Sequence, residues 1–145
     1  TNVVPLSQMQ KEIINLSNAL GVNASTVAED VYNAISAGQK TSDAVSFVEK
    51  ATMLAKGGFA ETGQALDVLT TILNAYGMES SKTEEISNML ITTQNRGKVT
   101  VAELSSVMGK VIPTANANNV ALEQLCAGYS IMTARGIAAA ETTTT

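Results

Sequence analysis

"ALDVLTTILNAYG", residues 65–77, decides the fold. Ala65, Val68, Leu69, Ile72, Leu73 and Tyr76 fall at i, i+3, i+4, i+7, i+8 and i+11, the spacing of one buried face on a helix. Gly77 follows at once. A glycine there supplies the left-handed residue that ends a helix. A fifteen-residue amphipathic segment closed by glycine is therefore the unit to look for elsewhere.

The unit recurs. Glycines stand at 21, 38, 57, 77, 97 and 136, with gaps of 17, 19, 20, 20 and 39. Lys56, Arg96 and Arg135 directly precede three of them, where a cation complements the helix dipole. Asp43, Glu61, Glu84, Glu85, Glu103 and Glu123 sit early in their segments, the end that favours acids. Thr100-Val-Ala-Glu103 is a capping box, and Asn23, Thr41 and Ser80 or Ser81 are candidate caps. The pattern predicts helices near residues 5–20, 24–37, 42–56, 61–76, 81–96, 101–115 and 121–135. Leu6, Met9, Ile13, Leu16 and Leu20 alternate steps of three and four, a short heptad seam on the first helix.

Proline 113 interrupts this regularity. Leu104, Val107, Met108, Val111, Ile112 and Ala115 repeat the buried-face spacing, and Pro113 falls inside it. Proline donates no backbone hydrogen bond and clashes with the carbonyl four residues back. That residue is Gly109, which deforms readily, so a bend at Gly109–Pro113 with the apolar face kept is expected.

The chain of 145 residues is thus read as a single all-α domain, residues 1–145. About seven short antiparallel helices would form a compact bundle or a short array of helical hairpins. A hairpin period near 39 residues also suits a solenoid, but the tetratricopeptide signature is missing. Aromatics are only 3% and apolar residues 45%, so the core is aliphatic and alanine-rich. Little alternation of β-branched residues is present to support strands. Absence of an initial Met and the terminal threonine run suggest a fragment of a longer chain, with residues 138–145 truncated or a flexible tail.

Reactive chemistry is sparse. There is no histidine, which removes the usual general base and the commonest metal ligand. Cys126 is the single cysteine and lies on an apolar face with Leu122, Leu125 and Tyr129, so it is read as a buried hydrophobe. Glu84-Glu85 and Glu29-Asp30 are sequence neighbours that point about 100° apart on a helix, and are read as solvated surface. Gly57-Gly58 followed by Gly63 lacks the preceding strand and the Gly-Lys-Thr/Ser of a phosphate loop, and reads as a helix–helix turn. Asn116, Asn118 and Asn119 suit a link. Met89, Met108 and Met132 fall on apolar faces as core filling. Net charge is −4 and no basic cluster exists, against a nucleic-acid surface. No signal peptide or apolar run of spanning length appears. No catalytic, cofactor-binding or metal site is expected, and no enzyme.

Four stretches carry a family likeness. "DVYNAISAGQKTSDAVSFVEKATMLAKGG" (30–58), "ALDVLTTILNAYGM" (65–78), "ISNMLITTQNRGKVTVAELSSVMGKVIPTA" (86–115) and "LEQLCAGYSIMTARGI" (122–137) together resemble the core region of phage tail tape measure proteins. The likeness runs in order from about Leu16 to Ile137 and is most specific in residues 73–77 and 97–115. Two departures stand out: Asn118-Asn119-Val120 where the family usually has Gly-Val-Ser, and "IAAAETTTT" where another helix is expected.

The resemblance implies a structural virion component of a phage or prophage, occupying the tail lumen, and the host cytoplasm during assembly. Its expected roles are tail assembly, tail length determination and genome delivery. Its expected partners are tail tube, tail chaperone and baseplate proteins, and further copies of itself. Membrane contact would come only through other parts of the parent chain. The competing expectation is a generic helical-hairpin adaptor that binds proteins through an apolar groove.

Overall fold

The computed structural model describes residues 5–58, 60–97, 100–106, 108, 121–124 and 126. The fold is all-α: α1 Leu6–Leu20, α2 Ala24–Ser36, α3 Thr41–Gly57, α4 Thr62–Tyr76 and α5 Thr83–Gly97, with a 3-10 turn at Ser80–Lys82. Residues 101–106, 108, 122–124 and 126 are helical as well. Among the described residues there is no strand. The expected bend at Gly109–Pro113 and the helical residues past 126 lie outside the described residues, as do Asn116, Asn118, Asn119 and Met132.

The links follow from glycine placement. Gly21, Gly38 and Gly77 have φ of 68°, 109° and 62°, a backbone that other residues rarely adopt. At each, the next N–H reaches back five residues: Val22 to Ser17, Gln39 to Ala34 and Met78 to Leu73, at 3.2, 3.0 and 2.9 Å. That bond satisfies a carbonyl the helix end would leave orphaned. Gly57 and Gly97 depart from the expectation, because each is the last residue of its helix rather than the left-handed residue beyond it.

Starts were legible in part. Asn23 accepts from the Ser25 N–H at 2.9 Å. The Thr100 hydroxyl accepts from the Glu103 N–H at 3.1 Å, and the Glu103 carboxylate accepts from the Thr100 N–H at 3.4 Å, completing the capping box. Thr41 is instead the first residue of α3, with Lys40 in the cap position. Ser80 opens the 3-10 turn, and its hydroxyl donates to Asp43 on α3 at 3.1 Å. α5 therefore begins two residues later than the pattern predicts.

Helix α3 is the centre. It packs against α1, α2, α4 and α5. Ala44, Phe47, Val48, Ala51, Leu54 and Ala55 are all buried on it. The three alanines let neighbouring backbones approach closely. On α4 the decisive stretch behaves as read: Ala65, Val68, Leu69, Ile72 and Leu73 are buried, and Tyr76 is half-buried. Leu66 and Thr70 are buried too, so α4 is covered over more than one stripe. Buried Thr52, Thr70 and Thr93 each donate to the carbonyl four residues back, at 2.8 Å. No hydroxyl among these three is left unsatisfied.

The heptad seam of α1 is only partly used. Leu16 is buried, while Met9, Ile13 and Leu20 pack on the core half-buried. Leu6 is 72% exposed. The seam is spent on α2 and α3, with no exposed coiled-coil stripe of full length.

Gly58 has a different task from the other glycines. A Cβ there would sit 2.5 Å from Val101 Cγ2 and 2.8 Å from the Leu54 carbonyl oxygen. Gly63, in the first turn of α4, faces nothing within 4 Å. Gly58→Ala is expected to destabilise by about 1–3 kcal/mol through overpacking. Gly63→Ala is expected to stabilise by about 0.4–1 kcal/mol, by restricting the unfolded chain. Urea denaturation of the two variants side by side checks the opposite signs.

Candidate functional site

The residues singled out for chemistry do not converge. Glu84 and Glu85 are exposed, and Glu85 makes a surface ion pair with Lys82 at 3.5 Å. Such pairs contribute little to stability. Glu29 is exposed, but Asp30 is half-buried, and burial followed by the Glu29 charge raises its carboxyl above the ordinary value. Among the described residues, no three His, Cys, Asp or Glu side chains come together as a metal site. Likewise no described helix is long and apolar enough to cross a membrane. Gly57 and Gly58 close α3 ahead of α4, which makes them a helix–helix turn.

Cys126 is buried, as its apolar setting requires. Burial is the main reason its thiol is pushed above the ordinary value, and the Glu123 charge adds to it. The Thr93 side chain hydrogen-bonds the sulfur and opposes the rise. Tyr76 is raised by burial first, then by Cys126 and Glu123, which places the three residues in one neighbourhood. The sign for stability follows. The folded state holds the Cys126 proton more tightly than the unfolded chain does. Its stabilising contribution is therefore complete below the ordinary thiol value of 9.0 and is lost as pH rises through the higher folded value. Cys126 is expected to react with thiol reagents only on unfolding at neutral pH. Immediate stoichiometric labelling of the folded chain would contradict its burial.

A groove of about 420 Å³ between α3 and α5 is lined by Met53, Leu54 and Ile91 together with Glu49, Lys50 and Glu84. Met53 is 61% exposed there. The buried Ser87 hydroxyl on the same wall has no hydrogen-bond partner among the described residues. The sequence marked methionines as core filling; Met108 is buried and Met89 half-buried on the core, but Met53 is not.

A second cluster was invisible to sequence reading. Gln94 on α5 is only 8% exposed. Its Nε2 donates to the Gly57 carbonyl at 3.1 Å, and its Oε1 accepts from the Val101 N–H at 2.9 Å. The Val101 N–H is shared with the Gly58 carbonyl at 3.1 Å. One amide thereby joins the end of α3, the last turns of α5 and the start of the next helix. It satisfies one terminal carbonyl and one terminal N–H.

The chain matches the family described as phage-related minor tail protein over residues 10–145. It belongs to that family. Within the curated proteins, this minor tail protein sequence is similar to the probable tape measure protein of Clostridium phage phiCD119, at 35% identity over 126 residues. The likeness covers 84% of this chain and 13% of that protein, so the chain spans a small part of the relative's length. No solved structure matches. Membership places the chain among phage tail components, a structural family rather than a known enzyme class.

Proposed function

We propose that this chain is a compact helical segment, residues 1–145, of a longer phage tape measure protein, a structural virion component that acts in tail assembly from within the tail lumen. The single observation that carries the reading is the likeness to a tape measure protein along most of this chain and a small part of that relative. The fold bears on which role fits. A continuous helix of this length would reach about 220 Å at 1.5 Å per residue, as a ruler would. Helices broken at Gly21, Gly38 and Gly77 and folded back on α3 do not provide that length. Other, longer helical stretches of the parent protein would set tail length. This segment would anchor the protein, contact tail tube, chaperone or baseplate proteins or further copies of itself, or unfold for passage during genome delivery.

In-frame deletion of residues 16–137 from the parent gene tests this. Loss of tail assembly or infectivity without proportional shortening is expected. Viable tails shorter by about 1.5 Å per deleted residue would make the segment part of the ruler and end the compact-segment reading. The groove beside exposed Met53 favours a second reading, a protein-binding adaptor module. An adaptor lost by the same deletion would leave tail assembly intact.

A further inference from the structure

We propose, on the reading of this chain as a segment of a longer protein, that α1 and α2 present an open stacking face and that a preceding helix pair of the parent protein covers it. The packing of the described helices repeats. The Lys56 ammonium in the last turn of α3 donates to the Leu20 carbonyl at the end of α1, at 3.3 Å. Gln94 on α5 donates to the Gly57 carbonyl at the end of α3, and Ser80, just ahead of α5, donates to Asp43 in the first turn of α3. Asn74 near the end of α4 donates to the Ala37 carbonyl just past α2, at 3.0 Å. α1, α3 and α5 thus lie side by side in one row, and α2 and α4 in a second.

Counted from their caps, Asn23 and Glu61, α2 and α4 match residue for residue. Val27, Val31 and Ala34 match Ala65, Leu69 and Ile72, and all six are buried. The adjoining stripe differs. On α4 it is Leu66, Thr70 and Leu73, all buried. On α2 it is Ala28 and Tyr32, both exposed, and Ile35, half-buried. This is the side on which α2 covers α4, because Leu66 lines a groove with Asn33 and Ser36 of α2. α2 carries apolar residues on the matching side without that cover: Tyr32 is 70% exposed. α1 does the same. Counted from Pro5 and Lys40, Ile14 matches Glu49, which lines the groove facing α1, and Ile14 is 53% exposed.

Stacked helix pairs bury their faces on their neighbours, and an end unit that stays in water carries a polar outer face. An apolar end face calls for another pair. The register commits its occupant: helices parallel to α1 and α2, as those are to α3 and α4. A second copy related by a two-fold axis would set each helix against one running the opposite way, unlike the rows of this chain. A relative of which this chain matches only 13% has ample chain to supply such a pair.

Cysteine labelling tests this. Ile14→Cys, Tyr32→Cys and Glu49→Cys are made singly in the 145-residue chain and in the same chain extended ahead of Thr1 by about forty residues of the parent, the size of one helix-pair repeat. Peptide mass mapping separates each label from Cys126. In the extended chain, labelling at 14 and 32 is expected to slow about tenfold, since a covered thiol reacts only after local opening. Labelling at 49, exposed on α3, should not change. Hydrogen exchange of residues 6–20 and 24–36 in the two unsubstituted chains, slower in the extended one, gives the same comparison without a variant. Equal rates in both chains would overturn the stacking. Protection at 49 alone would place the added residues in the α3–α5 groove and overturn it too. So would protection of 14 and 32 that rises with concentration in the 145-residue chain, which assigns the face to a second copy. A parent gene with no room for a helix pair ahead of Thr1 would end the proposal and leave the deletion of residues 16–137 to judge the role in the tail.

Discussion

Phe47→Ala is expected to cost about 3–5 kcal/mol of folding stability. Phe47 lies in the middle of α3, is 2% exposed and is one of only two phenylalanines in the chain. Its neighbours on the same helix, Ala44, Val48 and Ala51, are small, so none can expand into the space it leaves. Because α3 touches four other helices, a cavity there loosens the contact that the others share. Domains of this size have only about 5–15 kcal/mol in hand, so the loss is a large fraction of the total. Urea denaturation followed by helical circular dichroism reads the change. A midpoint equal to that of the unmodified chain would show that α3 is not the centre of the fold.

Leu69→Ala is expected to cost about 2–5 kcal/mol, and Leu73→Ala a similar amount. Both are at most 1% exposed on the best-patterned face of the chain. Leu6→Ala supplies the contrast. Leu6 also belongs to a regular apolar series, yet it is exposed, so its loss should stay within about 0.5 kcal/mol. Equal effects from Leu6 and Leu69 would mean that periodicity, not burial, had been measured. Equal effects near zero would remove α4 from the core.

The contrast between Leu6 and Leu69 shows where sequence reading stops. Both sit in apolar series with helical spacing, and both series form helices. The spacing says which residues share a face. It does not say how far a neighbouring helix extends over that face. α1 meets α2 and α3 along part of its length, and Leu6 lies beyond the cover. α4 is covered along its whole buried stripe and past it, so Leu66 and Thr70 are buried outside the expected series.

The same division holds for the candidate sites. Cys126 was placed by its own neighbours, Leu122 and Leu125 within one turn, and it is buried. Gln94 gave no signal at all. Its chemistry consists of a carbonyl 37 residues away and an N–H seven residues on. Gly57-Gly58 predicts a turn, and the chain turns there between α3 and α4. Its reason for being glycine is Val101, brought 2.5 Å from its missing Cβ by the packing of another helix.

What could be read from the sequence, then, has its cause within about one turn of chain. The helices, the left-handed glycines at 21, 38 and 77, the Asn23 cap and the Thr100–Glu103 box all have donor and acceptor a few residues apart. Such contacts form wherever the local conformation allows them. Packing between helices makes α3 central, leaves Leu6 in solvent, sets Val101 against Gly58 and lets Gln94 join three helices. Those outcomes depend on which faces meet. Burial of apolar area is non-directional, so it drives the faces together without naming the partner of each. Shape then selects the pairing, and shape belongs to the packed helices and not to any one of them.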